Sequence, residues 1–281
     1  MKLRGIWGIL MTSMVIGGVA GEDLIFPYKV GEFDVYMLVE NRGQGNGSIL
    51  VGASEADANR YLPGGTYRSE TNTFLIRGGG KTMVVDTGFG TTIFDSMKTL
   101  GVDPGDVDAV LLTHMHGDHI GGLAKDGKAL FPNARIYVAL QEREYWTVSR
   151  VNQGAVNALR PYGSRIENFL PADLGTGGIR LFPCISAIAA FGHTPGHTVF
   201  LLESAGDKLL IWGDLMHVQD IQFPLPDVSV TYDTDPTAAA AIRRRLLDWA
   251  VTNNVPIAGM HLVYPAVGNV RRDGAGYKLA P

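Results

Sequence analysis

Hydrophobic positions become regular at Thr73 and, from there on, strand-like runs alternate with helical segments. Residues 73–77 and 82–86 are β-branched and apolar, and the glycines between them predict a tight hairpin. Apolar runs of strand length also predict strands at residues 108–113 and 135–140, and four more within residues 179–212. Residues 91–100 and 141–148 are predicted to be helical. Residues 41–71, rich in Gly, Asn and Ser, predict a long irregular loop.

A helix with clear start signals follows in the carboxy-terminal part. Asp235 is a candidate N-cap and Pro236 occupies the first helical position. The core-facing stripe predicted for this helix consists of Ala239, Ile242, Leu246 and Trp249. The run Arg243, Arg244 and Arg245 is interpreted as a solvent-exposed helix face. A short strand over residues 256–260 is predicted to end at His261.

The first 20 residues have the layout of a secretory signal peptide. Lys2 and Arg4 precede an apolar stretch, and the small residues Gly18 and Ala20 precede Gly21. The stretch is short for a membrane span, which needs about 20 apolar residues; a buried strand or a short anchor is the alternative. We therefore expect a periplasmic or secreted protein, with one domain over residues 21–281 and no stable membrane association after cleavage.

Composition excludes several classes of protein. The chain has 281 residues, of which 46% are hydrophobic and 19% charged, which excludes disorder. A formal net charge of −4 gives no electrostatic footprint for nucleic acid and argues against that partner. The expected partner, a small-molecule substrate, does not follow from the charge. Cys184 is the single cysteine, so neither an intramolecular disulfide nor a cysteine-rich zinc site can form. Its apolar surroundings predict a buried, inert thiol.

The chemistry concentrates in residues 112–123, LTHMHGDHIGGL. His114, His116, Asp118 and His119 offer four ligands within six residues, directly after a predicted buried strand. Imidazole and carboxylate together suit zinc, and also iron, manganese or cobalt. Because the adjacent Asp118 and His119 diverge from the first two histidines, two metal ions side by side use these groups better than one.

A weak internal repeat brings distant residues to the same place. Predicted strands end at Asp86 and Asp214, and each is followed by a strand that ends in a histidine, His114 or His261. Sites in α/β folds gather at the carboxyl ends of strands. We therefore expect these four residues to meet.

Together these motifs resemble the metallo-β-lactamase superfamily. The resemblance rests on VVDTG around Asp86, the HMHGDH run, the second histidine of GHTPGHT, WGD at residues 212–214, and His261. It implies an α/β fold, a four-layer αβ/βα sandwich in which two packed mixed sheets are flanked by helices, with a dinuclear metal centre at the sheet edge. By the resemblance, one metal is bound by His114, His116 and His197, the other by Asp118, His119 and His261, and Asp214 bridges both.

The resemblance also assigns supporting roles. Asp86 is expected to orient a ligand histidine rather than to bind metal, and His193 is expected to be structural. His217 either contacts a substrate oxygen or merely packs. Phe89, Trp146 and Phe223 either wall an apolar pocket or pack in the core.

The expected cofactors are two divalent ions, Zn²⁺ first, with Fe, Mn or Co as alternatives. They share a hydroxide whose pKa falls to about 7, and this hydroxide attacks the substrate. Asp118 or Asp214 relays the proton to the leaving group.

Differences between this sequence and known branches of the superfamily narrow the range of possible reactions. A bridging Asp214 argues against β-lactam hydrolysis, His116 argues against flavodiiron enzymes, and too little chain follows His261 for the helical domain of glyoxalase II. Residues 213–241 and 270–279 resemble the methyl parathion hydrolase branch and, more loosely, quorum-quenching lactonases. We therefore expect hydrolysis of an ester, lactone or phosphotriester.

Several alternatives stay open. They are a mononuclear iron enzyme like persulfide dioxygenase, a β-lactam or thioester hydrolase, and a metal carrier without activity. Many relatives are dimers, so a homodimer is an expectation from the resemblance alone.

Overall fold

The computed structural model describes residues 24–280. The predicted signal peptide, residues 1–20, lies outside the described residues. Among residues 24–280, no helix combines the length and apolar character needed to cross a membrane.

Strands and helices follow one another in an order close to the one predicted. The strands of the described chain are β1 (Ile25–Val30), β2 (Phe33–Asn46), β3 (Leu50–Val51), β4 (Thr66–Gly78), β5 (Lys81–Val85), β6 (Ala109–Leu111), β7 (Ala124–Lys125), β8 (Lys128–Ala129), β9 (Arg135–Ala139), β10 (Ile166–Phe169), β11 (Ile179–Phe182), β12 (Ile185–Ala189), β13 (Thr198–Ser204), β14 (Asp207–Ile211), β15 (Ser229–Val230), β16 (Ile257–Ala258), β17 (Val267–Asp273) and β18 (Gly276–Ala280). The α-helices are α1 (Glu55–Tyr61), α2 (Ile93–Thr99), α3 (Gly117–Ile120), α4 (Leu140–Glu144), α5 (Gln153–Leu159), α6 (Gln219–Gln222) and α7 (Pro236–Asn253). Short 3₁₀ turns occupy Gly47–Ile49, Pro104–Asp106, Arg160–Arg165 and Leu174–Thr176, and α4 continues into a π-helical turn, Tyr145–Ser149.

Two seven-stranded mixed sheets dominate residues 24–280. The first has the order β1-β2-β4-β5-β6-β9-β10, and the second the order β11-β12-β13-β14-β16-β17-β18. Strands β5, β6, β9 and β10 run parallel, as do β14 and β16. The carboxyl ends of these parallel strands form the edge where the functional residues gather.

The largest hydrophobic core lies between the two sheets. Met37 and Phe74 of the first sheet belong to the same buried cluster as Phe200 and Ile211 of the second. Side chains on the opposite face of the first sheet, such as Val110, pack with helices α2 and α5, and α7 packs against the second sheet. The resulting layers, helix, sheet, sheet and helix, confirm the predicted four-layer αβ/βα sandwich.

Residues 41–71 are more ordered than their composition predicts. They complete a long antiparallel pair, in which β2 and β4 run from Asp34 opposite Arg77 to Asn46 opposite Thr66, with one register shift between Val39 and Asn41. They also contain β3 and α1. Leu62 packs with Val218 and Ile221 in a small separate core. The irregular-loop prediction is wrong because strand pairing, which local composition does not reveal, stabilises this polar segment.

Helix α7 confirms its predicted start but not its predicted polar face. The Asp235 side chain accepts a hydrogen bond from Ala238 N, as an N-cap does. Arg243 is 0% exposed, because positions 239, 243, 246 and 250 fall on one helical stripe. The expectation of solvent exposure is wrong for Arg243, whereas the Arg244 and Arg245 side chains are 42% and 48% exposed and form ion pairs at the surface.

Candidate metal centre

Four chain segments meet at the carboxyl ends of parallel strands. Asp86 follows β5, and the segment that contains His114 follows β6. In the second sheet, Asp214 follows β14, and His261 lies just beyond β16. Oδ2 of Asp214 lies 3.5 Å from His114 Nε2 and 3.2 Å from His261 Nε2. The meeting predicted from the internal repeat therefore takes place, between two sheets that are far apart in sequence.

Three histidine rings form the first group of donor atoms. His116 Nδ1 lies 3.1 Å from His114 Nε2 and 3.0 Å from His193 Nε2, and the two Nε2 atoms are 3.2 Å apart. Ligands of tetrahedral zinc, at 2.0–2.1 Å from the metal, lie about 3.3–3.4 Å from each other. The three nitrogens are therefore spaced like one face of a tetrahedral site.

A second group lies on the other side of Asp214. It consists of Asp118, His119 and His261, whose donor atoms all lie within 4.8 Å of one another. Asp118 Oδ2 is 3.7 Å from His119 Nε2 and 3.4 Å from His261 Nε2. The short helix α3 starts after His116 and contains Asp118 and His119. These two side chains belong to the second group and not to the first, as the sequence predicts.

Asp214 reaches both groups. Its Oδ2 lies 3.3 Å from His193 Nε2 in the first group, and its Oδ1 lies 3.1 Å from His119 Nε2 in the second. Both His119 Nε2 and Asp214 Oδ1 are buried without a hydrogen-bond partner among the described residues. Buried polar atoms without partners are rare and call for a ligand, so the donor set fits divalent cations.

Hydrogen bonds behind the rings fix their orientation. His119 Nδ1 donates to Asp86 Oδ2 over 2.7 Å, and His261 Nδ1 donates to the Glu70 carbonyl over 2.8 Å. Thr113 Oγ1 accepts from His114 Nδ1 and donates to Asp86 Oδ2 over 2.6 Å. Asp86 therefore has the predicted orienting geometry, and it acts on both groups, directly on His119 and through Thr113 on His114.

The two histidines of GHTPGHT exchange the roles predicted for them. His197 Nδ1 donates to the Ala190 carbonyl, and its Nε2 accepts from the Asp214 backbone amide, each over 3.0 Å. Both ring nitrogens of His197 are thus used by the backbone, and the ring lies outside the donor groups. The prediction that His197 binds metal is corrected: His193 occupies that position, and its Nδ1 donates to Asp233 Oδ1 over 2.9 Å.

Sequence reasoning missed a buried carboxylate that ties the two histidine motifs together. Glu142, 0% exposed, accepts hydrogen bonds from Met115 N and Trp146 Nε1 on one oxygen. Its other oxygen accepts from Thr194 Oγ1 and Gly196 N. The sequence predicts a helix here but gives no signal of this role, because three of the four donors lie 27 to 54 residues away.

His217 lies at the edge of the centre rather than in the hydrophobic core. Its Nε2 is 3.0 Å from Asp214 Oδ2, and its ring stacks on His261 with the centroids 4.9 Å apart. Its Nδ1 has no hydrogen-bond partner among residues 24–280. For His217, contact with a substrate oxygen is therefore favoured over a role in packing alone.

Aromatic side chains flank the two sides of the centre. Trp146 contacts the His116 ring at a centroid distance of 5.3 Å, and Tyr232 lies 5.9 Å from the His217 ring. Phe89 is 46% exposed, whereas Phe223 is buried beside Trp212. Phe223 therefore belongs to the core and not to a pocket wall.

Burial and carboxylates give the centre a mixed charge. Burial and the neighbouring His193 lower the pKa of His116 to about 3, so this ring is neutral at physiological pH. Burial opposes protonation of His261, but Asp214 and Asp118 outweigh it and raise the pKa of His261 to about 10. Burial also opposes the charge on Asp214, but the surrounding histidines hold its pKa well below the usual range. The carboxylates thus draw positive charge to this spot, as a cation site requires.

Comparisons with known proteins agree with this geometry. The sequence profile of the metallo-beta-lactamase superfamily matches residues 66–251. Over 150 residues the chain is 28% identical to an atrochrysone carboxyl ACP thioesterase of Passalora fulva, an alignment that covers 51% of this chain and 37% of that protein. Over 176 residues it is 28% identical to ribonuclease TTHA0252 of Thermus thermophilus, covering 60% and 41% respectively. The chain thus spans less than half the length of these two curated relatives.

Solved structures resemble the chain over nearly its whole length. The hydrolase AbOPH, of the beta lactamase superfamily, superimposes with a TM-score of 0.83 at 25% identity, covering 94% of this chain and 98% of that one. AidC, a dizinc quorum-quenching lactonase, superimposes with a TM-score of 0.81 at 24% identity, covering 92% and 97%. The likeness to AidC establishes the shared fold.

Proposed function

Because this chain belongs to the metallo-β-lactamase superfamily, we propose that it is a dinuclear metal-dependent hydrolase that cleaves an ester, lactone or phosphotriester bond. The observation that carries the proposal is the pair of donor groups on either side of Asp214. A mononuclear iron enzyme, by contrast, would leave one of these groups without a function.

The proposed ligands follow the two groups. His114, His116 and His193 would hold one ion, Asp118, His119 and His261 the other, and Asp214 would bridge them. When bound, two divalent ions supply a water of lowered pKa as nucleophile and polarise the electrophilic oxygen of the substrate. Zn²⁺ is the proposed metal, since three imidazoles at these spacings suit its tetrahedral preference.

Two side chains are placed to act on the substrate. The Asp118 side chain is 24% exposed, more than Asp214 or the ring of His119, so it is the carboxylate best placed to pass a proton to a leaving group. His217 Nε2 faces Asp214 Oδ2, and we place this ring against the polarised substrate oxygen. Neither role needs a serine or cysteine nucleophile.

The surroundings favour a small substrate with an apolar part. A cavity of about 410 Å³ adjoins His116 and is lined by Ile120 and Ala155, among others. Cavities of this size accept small molecules. Trp146 adds apolar surface beside His116, with the two ring centroids 5.3 Å apart. AidC is a quorum-quenching lactonase, which supports including lactones among the candidate substrates.

The test is turnover of a substrate panel by the full chain loaded with Zn²⁺. The panel contains p-nitrophenyl esters, lactones and phosphotriesters, with the variant His116→Ala as control. We expect at least one class to be hydrolysed far above that control. No turnover by the metal-loaded protein would refute hydrolysis of these bonds. One iron per chain with oxygen uptake would instead support the persulfide dioxygenase alternative.

Location and assembly are further parts of the proposal. Residues 1–20 would direct export, so sequencing the amino terminus of protein from a periplasmic or culture fraction should give Gly21 first. A mature protein that starts at Met1 would refute cleavage. Light scattering of the purified chain tests the proposed homodimer, which a monomeric mass would contradict.

A further inference from the structure

We propose that Arg243 is a positioning residue for the metal centre, because from helix α7 it holds the residue that follows Asp214 and, through Asp233, orients the ring of His193. The proposal rests on the dinuclear centre proposed above. It concerns a residue that binds neither metal nor substrate and that acts only through its neighbours.

The guanidinium of Arg243 is anchored by backbone carbonyls. Its Nε donates to the Leu215 carbonyl over 2.6 Å, and one terminal nitrogen donates to the carbonyls of Pro226 and Val228, each over 2.8 Å. Leu215 directly follows Asp214. Arg243 therefore holds the carbonyl of the residue that directly follows the proposed bridging aspartate.

A second arm runs from Arg243 to the first group of donor atoms. The other terminal nitrogen lies 3.7 Å from Asp233 Oδ2. Asp233 Oδ1 accepts from His193 Nδ1 over 2.9 Å, and Oδ2 accepts from Val230 N over 3.1 Å. The contacts thus continue from Arg243 through Asp233 to His193, whose Nε2 faces the proposed metal.

Packing alone does not account for an arginine at this position. The other buried residues of the stripe, such as Ala239, Leu246 and Ala250, are small or aliphatic, and a Leu or Met would continue it. A buried charge is costly unless it is paired and hydrogen-bonded. Burial lowers the pKa of Arg243 to about 10, with Asp233 opposing the shift, so the guanidinium stays charged at neutral pH. The planar fork reaches carbonyls on two segments and one carboxylate at the same time, which a lysine cannot do.

The helix supplies its own controls. Arg244 pairs with Asp227, and Arg245 pairs with Asp173, both at the surface. Substituting lysine at 243, 244 or 245 makes the same chemical change three times on adjacent positions of α7. Arg244 also contacts the segment of residues 226–228, through the exposed Asp227, but of the three arginines only Arg243 contacts the Leu215 carbonyl and Asp233.

The experiment measures how tightly the full Zn²⁺-loaded chain retains its ions during dialysis against graded concentrations of a chelator. Arg243→Lys should release one of the two ions at a chelator strength about tenfold lower than wild type, within the 10- to 100-fold range typical for groups behind metal ligands. Arg244→Lys and Arg245→Lys should retain both ions like wild type. Asp233→Asn should weaken retention by 10- to 100-fold. The double variant with Arg243→Lys should lose less than the product of the two single effects, because the residues share one chain of contacts.

A purely structural role of Arg243 would change the stability of the protein and not its retention of zinc. It would lower the melting temperature of Arg243→Lys while leaving zinc retention unchanged, and that result would overturn the inference without affecting the proposed function. If circular dichroism finds Arg243→Lys unfolded, Arg243→Gln replaces it, with the same two outcomes. A wild-type chain that retains no Zn²⁺ would refute the proposed function itself, and this inference with it.

Discussion

The backbone amide of Asp214 donates a hydrogen bond to Nε2 of His197 over 3.0 Å. This contact commits the His197 ring to holding the bridging aspartate in place, since the other ring nitrogen donates to the Ala190 carbonyl. His193, four residues earlier, instead directs its Nε2 at His114 and His116. One short motif therefore provides a proposed ligand and a clamp for another ligand.

This division of roles predicts opposite results for the two histidines. His193→Ala should leave at most one tightly bound Zn²⁺ per chain and should lower hydrolytic activity by at least 100-fold. His197→Gln keeps an acceptor for the Asp214 amide, so it should retain both ions. Elemental analysis of the dialysed proteins checks the counts. If His197→Gln loses an ion and His193→Ala keeps two, the assignment of roles is wrong.

Asp86 should matter for both ions. Its carboxylate accepts from His119 Nδ1, Thr113 N and Thr113 Oγ1, and an amide in Asp86→Asn must turn a donor toward one of these donors. We expect Zn²⁺ affinity or kcat/KM to fall 10- to 100-fold, measured by chelator competition and ester turnover. Asp108→Asn, at the opposite end of β6, is the matched control and should behave like wild type. If both zinc affinity and kcat/KM are unchanged in Asp86→Asn, Asp86 does not orient the metal-binding histidines.

The hydrogen bonds of Glu142 predict a loss of stability when an amide replaces its carboxylate. In Glu142→Gln the carboxylate that accepts four hydrogen bonds gains an NH₂ group that faces donors. Leaving such buried groups unsatisfied should lower the free energy of unfolding by roughly 1–3 kcal/mol. Calorimetry measures this change, and Glu144→Gln, exposed two residues away, is the control. Equal melting temperatures for the two variants would contradict the tie between the two histidine motifs.

The raised pKa of Tyr162 predicts that stability depends on pH through a group outside the metal centre. Its hydroxyl donates to the Leu123 carbonyl over 2.7 Å, and burial raises the pKa of Tyr162 to about 12 from 10.0. The folded protein therefore holds this proton more tightly than the unfolded chain, so the contribution to stability is present below pH 10 and is lost as pH rises toward 12. Urea unfolding between pH 9 and 11 should show a shallower loss of stability for Tyr162→Phe than for wild type. Parallel curves would contradict the prediction.

The predictable parts of this fold were those encoded locally. The hairpin of β4 and β5 and the strand before His114 were readable from short runs of β-branched residues punctuated by glycine. The HMHGDH run identified most of the donor atoms, because four ligands in six residues rarely have another purpose.

The other features could not be predicted from the sequence because they depend on contacts between residues that are distant along the chain. His193 and His197 belong to one short motif, and their partners separate their roles. His193 contacts Asp233, 40 residues away, whereas His197 accepts from the amide of Asp214, 17 residues away. Arg243 looked like part of a polar run, but its carbonyl partners come from segments 15 to 28 residues away. Residues 41–71 were misread for the same reason, since the pairing of β2 with β4 is long-range.

The central claim, two metal ions that share Asp214, is tested most directly by anomalous diffraction at the zinc edge from crystals of the Zn²⁺-loaded chain. We expect two anomalous peaks per chain, one enclosed by His114, His116 and His193 and the other by Asp118, His119 and His261, both within coordinating distance of Asp214. A single peak, or a peak bound by His197 in place of His193, would contradict it.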